Sequence, residues 1–206
     1  FVVRLEDSKG KVLDDAVVTA GLRTVSQEGG TFRINGKPAM MNGALLFGYR
    51  APLEKIAQWQ RSSPAREIIK DLLMLKRMNA NTARMTHHDG PQGGINDPRF
   101  AEFGDQLGIL FQWSTSAWVR TASPWQIDFD GLSRAVRQVR NHPSIAMWQP
   151  GNHPWFVSFE EGMTWFRRAY DAIYPNDPSR LICLSASSAR LHVPNDDGTL
   201  DEKGRK

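Results

Sequence analysis

Cysteine is nearly missing from this chain of 206 residues, with Cys183 the only example. A disulfide within the chain is therefore impossible, and so is a zinc site built on several thiolates. Long apolar runs are missing too. No unbroken stretch approaches the roughly eighteen residues that a membrane-spanning helix requires, and mean hydropathy is −0.45. The polar opening FVVRLEDSKGK does not read as a signal peptide. Nor is charge of one sign gathered anywhere. Lys and Arg number 26 against 22 Asp and Glu, for a net charge of +4. The tightest basic group, Lys203, Arg205 and Lys206, sits beside Asp201 and Glu202. Without a basic face, neither nucleic acid nor a membrane is expected as a partner. Tyrosine is scarce, with 3 residues, whereas tryptophan reaches 7. Indole rings pack cores and also stack on sugar rings, so the excess is a first pointer to carbohydrate. With 40% apolar and 23% charged residues, the remainder is ordinary for a globular chain.

Residues 1–30 read as the end of an all-β module. VVRLEDSKGKVLDD suggests strand, polar turn and strand, and AVVTAGLRTVS suggests a further strand of β-branched residues. A lone hairpin cannot bury a core, so more of this sheet is expected upstream of Phe1. Gly29-Gly30 offers a domain boundary. From Thr31 onward, strand-like and helix-like patterns alternate. TFRI, the turn NGKP and AMMNGALLF read as a hairpin leading into a buried strand. Ser63 and Pro64 open a helix whose Ile68, Leu72, Leu75 and Met78 share one face. NANTARMT and GILFQW read as strands, and Leu132, Val136 and Val139 mark a helix before the strand SIAMW. Ser158 and Glu161 form a capping box for a further helix carrying Phe159, Met163, Phe166, Tyr170 and Ile173, and the strand LICLS follows.

Such alternation implies a parallel sheet, and a barrel is one natural closure. A complete eight-fold barrel takes about 250 residues, so residues 31–206 suffice for roughly four or five units. The chain is expected to be a piece of a larger protein, because a free parallel edge strand invites aggregation. The tail NDDGTLDEKGRK reads as loop.

In barrels of this kind the chemistry gathers at the carboxyl ends of the strands. Four places qualify here: the loop after AMMNGALLF, residues 84–89, residues 113–118 and residues 148–155. The second holds Arg84, His87, His88 and Asp89, and the fourth holds Asn152 and His153. Adjacent strand residues point to opposite faces, so His87, His88 and Asp89 make a poor three-ligand set and no metal is expected. No cofactor motif is present.

FRINGKPAMMNG, DLLMLKRMNANTARMTHH, DPRFAEFGDQLGILFQW and VRNHPSIAMWQPGNH, in this order, resemble the catalytic barrel of glycoside hydrolase family 2, the group of β-galactosidases, β-glucuronidases and β-mannosidases. Gly21-Leu22-Arg23 resembles the close of the immunoglobulin-like domain preceding that barrel. The resemblance covers most of residues 1–184. It implies a partial (β/α)8 TIM barrel of the α/β class over residues 31–206, preceded in residues 1–30 by the last strands of an immunoglobulin-like β-sandwich. It also implies retaining hydrolysis of a β-linked glycoside by two glutamates, with a carbohydrate substrate and the rest of the same polypeptide as partner; the compartment stays open, with the resemblance favouring a periplasmic or secreted one.

Residue by residue, the resemblance assigns Arg84 to the arginine beneath the nucleophile and Asn152 to the group that hydrogen-bonds the sugar 2-hydroxyl. His87 falls in the same wall, and the nucleophile lies beyond Lys206. The acid/base glutamate is expected directly after Asn152, where this chain has His153. Three readings of His153 stand open. It donates the proton itself; or a carboxylate such as Asp89, Glu160 or Glu161 does so; or acid catalysis is lost and the barrel binds sugar or serves a structural role. Trp113 or Trp118 is expected on the cleft rim, and Trp148 and Trp155 serve either as core or as a sugar platform. The turn Asn141-His142-Pro143 precedes its strand and should be structural.

Overall fold

Two-residue turns with positive φ organise the first part of the chain. Gly29 and Gly30, at φ 55° and 78°, join β3 (Val25–Glu28) to β4 (Thr31–Ile34), and Asn35 and Gly36, at 51° and 75°, join β4 to β5 (Lys37–Pro38). Only glycine and, at modest cost, asparagine accept that backbone region readily, and the resulting twist suits a tight hairpin. Gly29-Gly30 is thus a hairpin turn rather than a passage between two units. The computed structural model describes residues 1–47, 64–86, 97–114, 129–151, 155–156, 158–183 and 190–191.

Before this hairpin, β1 (Val2–Glu6) pairs antiparallel with β2 (Val12–Val17). Asp7 tightens their connection by accepting from the backbone N–H of Lys9 at 2.8 Å and of Lys11 at 3.0 Å. The further strand expected in AVVTAGLRTVS does not form as one element. Ala16 and Val17 finish β2, and residues 18–24 carry no strand. Packing explains the interruption: a Cβ at Gly21 would lie 2.2 Å from that of Pro143, so this stretch is pressed against the turn before a barrel strand. That turn is structural, as expected. His142 Nδ1–H donates to Asp105 Oδ2 at 2.6 Å, and Ser144 N–H donates to Asp105 Oδ1 at 2.7 Å.

The main sheet has five parallel strands in the order β11-β9-β8-β7-β6. They are β6 (Gly43–Phe47), β7 (Thr82–Thr86), β8 (Leu110–Ser114), β9 (Ile145–Gln149) and β11 (Leu181–Ile182). Four helices occupy the successive crossovers: α1 (Ala65–Arg77), α2 (Arg99–Leu107), α3 (Phe129–Val139) and α4 (Phe159–Ile173). Short β10 (Trp155–Phe156) and β12 (Arg190–Leu191) form a separate parallel pair. The four helices among the described residues all pack on one side of the sheet, sharing a core with Ala83, Met85, Phe111 and Trp113. On the other side Val25, Phe32 and Ile34 of the hairpin meet Leu110, Ala146 and Leu181. Helices on a single face suit a barrel wall and not a doubly wound open sheet.

Ile68, Leu72 and Leu75 bury as expected in α1, but Met78 lies past the last turn and is exposed. In α4 the expected stripe is rotated. Trp165, Ala169, Ala172 and Ile173 face the core, while Phe159, Met163 and Tyr170 are exposed, Tyr170 stacking on Tyr174 at 4.9 Å. Small residues allow the close approach that the larger ones would prevent. Helix α2 has no counterpart in the periodicity because its buried face is Phe100, Ala101 and Gly104, and a mid-helix glycine looks like a breaker. Gly104 is there for contact: an added Cβ would lie 2.2 Å from Phe111 Cε2 and 3.1 Å from Ser144 Cβ. Gly104→Val is therefore expected to destabilise the fold by about 1–3 kcal/mol or more through overpacking, read as a lower denaturation midpoint at unchanged slope.

Candidate active site

Parallel pairing sets Leu45, Arg84, Gln112 and Met147 side by side across β6, β7, β8 and β9. Strand side chains alternate, so this row points away from the helices. One step toward the carboxyl ends, Ser114 and Gln149 pair on the same inner face. The sequence thus lines the inner wall with polar groups above the apolar layer formed with the hairpin. An open pocket of about 390 Å³ lies there, bounded by Met41, Leu45, Thr82, Arg84 and Gln112 among others.

Gln149, buried with no exposed surface, joins these groups. Its Oε1 accepts from Arg84 Nε at 2.9 Å and from Gln112 Nε2 at 2.9 Å. Its Nε2 donates to the carbonyl of Gly151 at 3.0 Å. Arg84 is half-buried, and loss of hydration lowers its pKa from the ordinary arginine value, while the nearby Cys183 acts in the opposite direction. Cys183 itself follows β11, where its backbone N–H donates to the carbonyl of Trp148 at 2.8 Å. The wall therefore presents a cation held by a neutral amide, an arrangement suited to orienting an anion or a polar sugar.

Of the residues expected at the site, Arg84 lies on this inner wall at mid-strand. His87, Asp89, Trp118, Asn152 and His153 fall outside the described residues, and of Trp155 only the backbone, in β10, is described. Gly151, directly before Asn152, is described and is tied to Arg84 through Gln149. Trp113 does not stand on the cleft rim, and Trp148 is core rather than sugar platform. Their register places them beside Met85 on the helix side, both indoles are buried in the outer core, and neither reaches the inner wall. Trp148 Nε1–H donates instead to the buried carboxylate of Asp177 at 2.9 Å. Glu160 and Glu161 sit on the exposed first turn of α4, where Ser158 Oγ accepts from Glu161 N–H at 3.1 Å, the ordinary geometry of a cap.

Gln112 and Gln149 are absent from the sequence reading. Alternation along GILFQW contained the signal for Gln112, since Ile109, Phe111 and Trp113 turn outward, whereas in SIAMWQ the irregularity at Ala146 breaks the alternation and the inward turn of Gln149 follows only from the strand register. Among the described residues, no three His, Cys, Asp or Glu side chains gather as a metal site, and no helix is long and apolar enough to cross a membrane.

The placement of Trp148 has a measurable consequence. Trp148→Phe is expected to cost about 2–4 kcal/mol, because it removes packing and takes the indole donor from Oδ2 of the buried Asp177, whose Oδ1 keeps Ser179 and Arg180. Affinity for sugar ligands should stay within about threefold of wild type, well under the tenfold of 1.4 kcal/mol. A titration of the variant with a carbohydrate ligand, beside its unfolding curve, checks both.

A family model described as glycosyl hydrolases family 2, TIM barrel domain, matches residues 25–196. The β-galactosidase of Aeromonas hydrophila subsp. hydrophila is 28% identical over 200 residues, spanning 92% of this chain and 18% of that protein. Among solved structures, the β-glucuronidase of Ruminococcus gnavus in complex with N1-substituted uronic isofagomine superposes with a TM-score of 0.71 at 21% identity, covering 93% of this chain and 32% of that one. The β-glucuronidase of Bacteroides uniformis gives a TM-score of 0.70 at 22% identity, over 88% of this chain and 22% of that one. The chain thus spans less than a third of each of these relatives, and the structural likeness carries the fold. With the five-stranded wall, the outer helices and the inner polar row in place, the chain belongs to glycoside hydrolase family 2, and residues 25–196 match its TIM-barrel domain.

Proposed function

We propose that the protein containing this segment hydrolyses a β-linked glycoside with retention of configuration, with Arg84 beneath its nucleophile and Asn152 and His153 on its acid/base side. The observation carrying this reading is the bond from Arg84 through Gln149 to Gly151, which links the inner wall to the segment entering Asn152 and His153. In this reading Arg84 holds the nucleophilic carboxylate ionised and oriented, that carboxylate coming from sequence beyond Lys206. Asn152 hydrogen-bonds the sugar 2-hydroxyl, a contact that strengthens as the oxocarbenium-like transition state forms. His87, Asp89, Trp118 and Trp155 belong to the sugar-binding wall. Residues 1–24 belong to a β-sandwich of immunoglobulin type, in which the exposed Val2, Val3, Leu5 and Val17 of β1 and β2 would find their partners. No cofactor is required, because proton transfer and carboxylate attack suffice for the chemistry.

His153 stands where a carboxylic acid would protonate the departing oxygen. An imidazolium can perform that transfer, since an unperturbed histidine titrates near pH 6.5. The donor must enter the first step protonated, so kcat/KM on natural glycosides falls as pH rises through the imidazole pKa. The second reading, a catalytically degenerate barrel that binds carbohydrate or plays a structural part, is favoured by the same substitution.

Turnover of aryl β-glycosides and natural oligosaccharides by the full-length protein separates the two. With His153 as donor, His153→Ala should lower kcat/KM on natural substrates by about 10²–10⁴-fold and change substrates with good leaving groups far less. Equal activity in wild type and His153→Ala, with a gain in His153→Glu on natural substrates alone, would show that the acid has been lost. Binding without turnover across the panel would favour the degenerate barrel.

A further inference from the structure

We infer that Gln149 is a positioning residue, orienting Arg84 through its carbonyl oxygen and holding the Gly151 peptide through its amide nitrogen. The kinetic part of this inference rests on the glycosidase reading above; the structural part does not.

A side-chain amide buried without partners is costly, and this one is fully buried. Its bonds also determine its orientation. The carbonyl oxygen has two lone pairs, and two donors, Arg84 Nε and Gln112 Nε2, meet it at 2.9 Å each. The amide nitrogen meets an acceptor, the Gly151 carbonyl, at 3.0 Å. Turning the amide over would set N–H against N–H on one side and oxygen against oxygen on the other. Gln149 therefore has one satisfied orientation, and that orientation dictates the plane of the Arg84 guanidinium and the direction of the Gly151 peptide.

Chemistry explains why an amide serves here. The guanidinium has five N–H donors, and its bond to Gln149 uses Nε. A carboxylate at position 149 would hold Arg84 more tightly, but it would neutralise the charge that a nucleophilic carboxylate or an anionic ligand needs. It would also face the Gly151 carbonyl with no proton to donate. An aliphatic residue would fill the space and release both neighbours. A neutral group that accepts on one side and donates on the other fixes the arginine and leaves its charge intact.

The test uses the full-length protein with Gln149→Met, which keeps the volume, and Gln149→Glu, which keeps the shape. Three quantities are measured: hydrogen exchange at Arg84 Nε–H by ¹⁵N NMR, assigned by its loss in Arg84→Lys; kcat and KM on 4-nitrophenyl β-glycosides; and thermal unfolding. In Gln149→Met, exchange at Arg84 Nε–H should quicken by about tenfold or more. Its kcat should fall about 10²-fold while KM moves less than about threefold, as expected for misplacement rather than lost binding. In Gln149→Glu, exchange should stay slow and kcat should fall at neutral pH. The ratio of its kcat to that of wild type should then rise as pH falls, because a protonated carboxyl accepts and donates like the amide. Unchanged exchange in Gln149→Met overturns the inference. So does kcat within about threefold of wild type in a folded variant, or a loss in Gln149→Glu that acid does not relieve. If the wild type turns over no glycoside, the glycosidase reading fails by itself, and Arg84 exchange alone decides whether Gln149 positions the arginine.

Discussion

The register between β7, β8 and β9 places Arg84, Gln112 and Met147 in one row and Met85, Trp113 and Trp148 in the next. Because successive side chains leave opposite faces of a strand, that pairing decides which chemistry meets the helices and which meets the barrel axis. A slip of one residue would turn two indoles into the cleft and bury an arginine against α2 and α3. The outer core resists the slip. Trp113, Trp148 and Trp165 are all fully buried, and a side chain of their size contributes on the order of 2–3 kcal/mol when removed from water. The irregularity at Phe111 and Gln112 belongs to the same design, letting Ala146 join the hairpin core while Trp148 still packs outward.

Much of this was legible in the residues. The parallel alternation, the hairpin turn at Asn35-Gly36, helix α1 and the cap at Ser158 follow from local rules that the tertiary fold leaves standing. Other features depend on contacts that no local pattern records. Gly104 and Gly151 look like loop punctuation until Phe111 and Trp165 are found against them. The exposed aromatics of α4 look like a core stripe until the smaller residues beside them prove to face the sheet. The arginine of the site was found through a resemblance between sequences, whereas its amide partner needed the register. Trp113 looks like a rim residue, and Trp148 like either core or platform, because residue type and a place near a strand end do not say which face of the strand a side chain leaves.

The inner wall and the outer core have opposite tolerances. Outside, the contacts are among apolar groups and small volume changes are resisted. Inside, the polar residues hold one another through directional bonds, so shape and hydrogen-bonding capacity are constrained together. Arg84 on the inner wall is bonded through Nε to the fully buried amide of Gln149, which also accepts from Gln112 and donates to Gly151. A cation held in this way suits hydroxyl or carboxylate groups.

The hairpin of β3, β4 and β5 bears on transport as well as stability. Val25, Phe32 and Ile34 pack against Leu110, Ala146 and Leu181, closing this part of the barrel axis at the amino end with apolar side chains. Among the described residues, that floor separates the polar row of Arg84, Gln112 and Gln149 from the amino-end side of the strands. A molecule held by the row would therefore come and go by the carboxyl-end side of this wall, and the same opening would govern both its arrival and its departure.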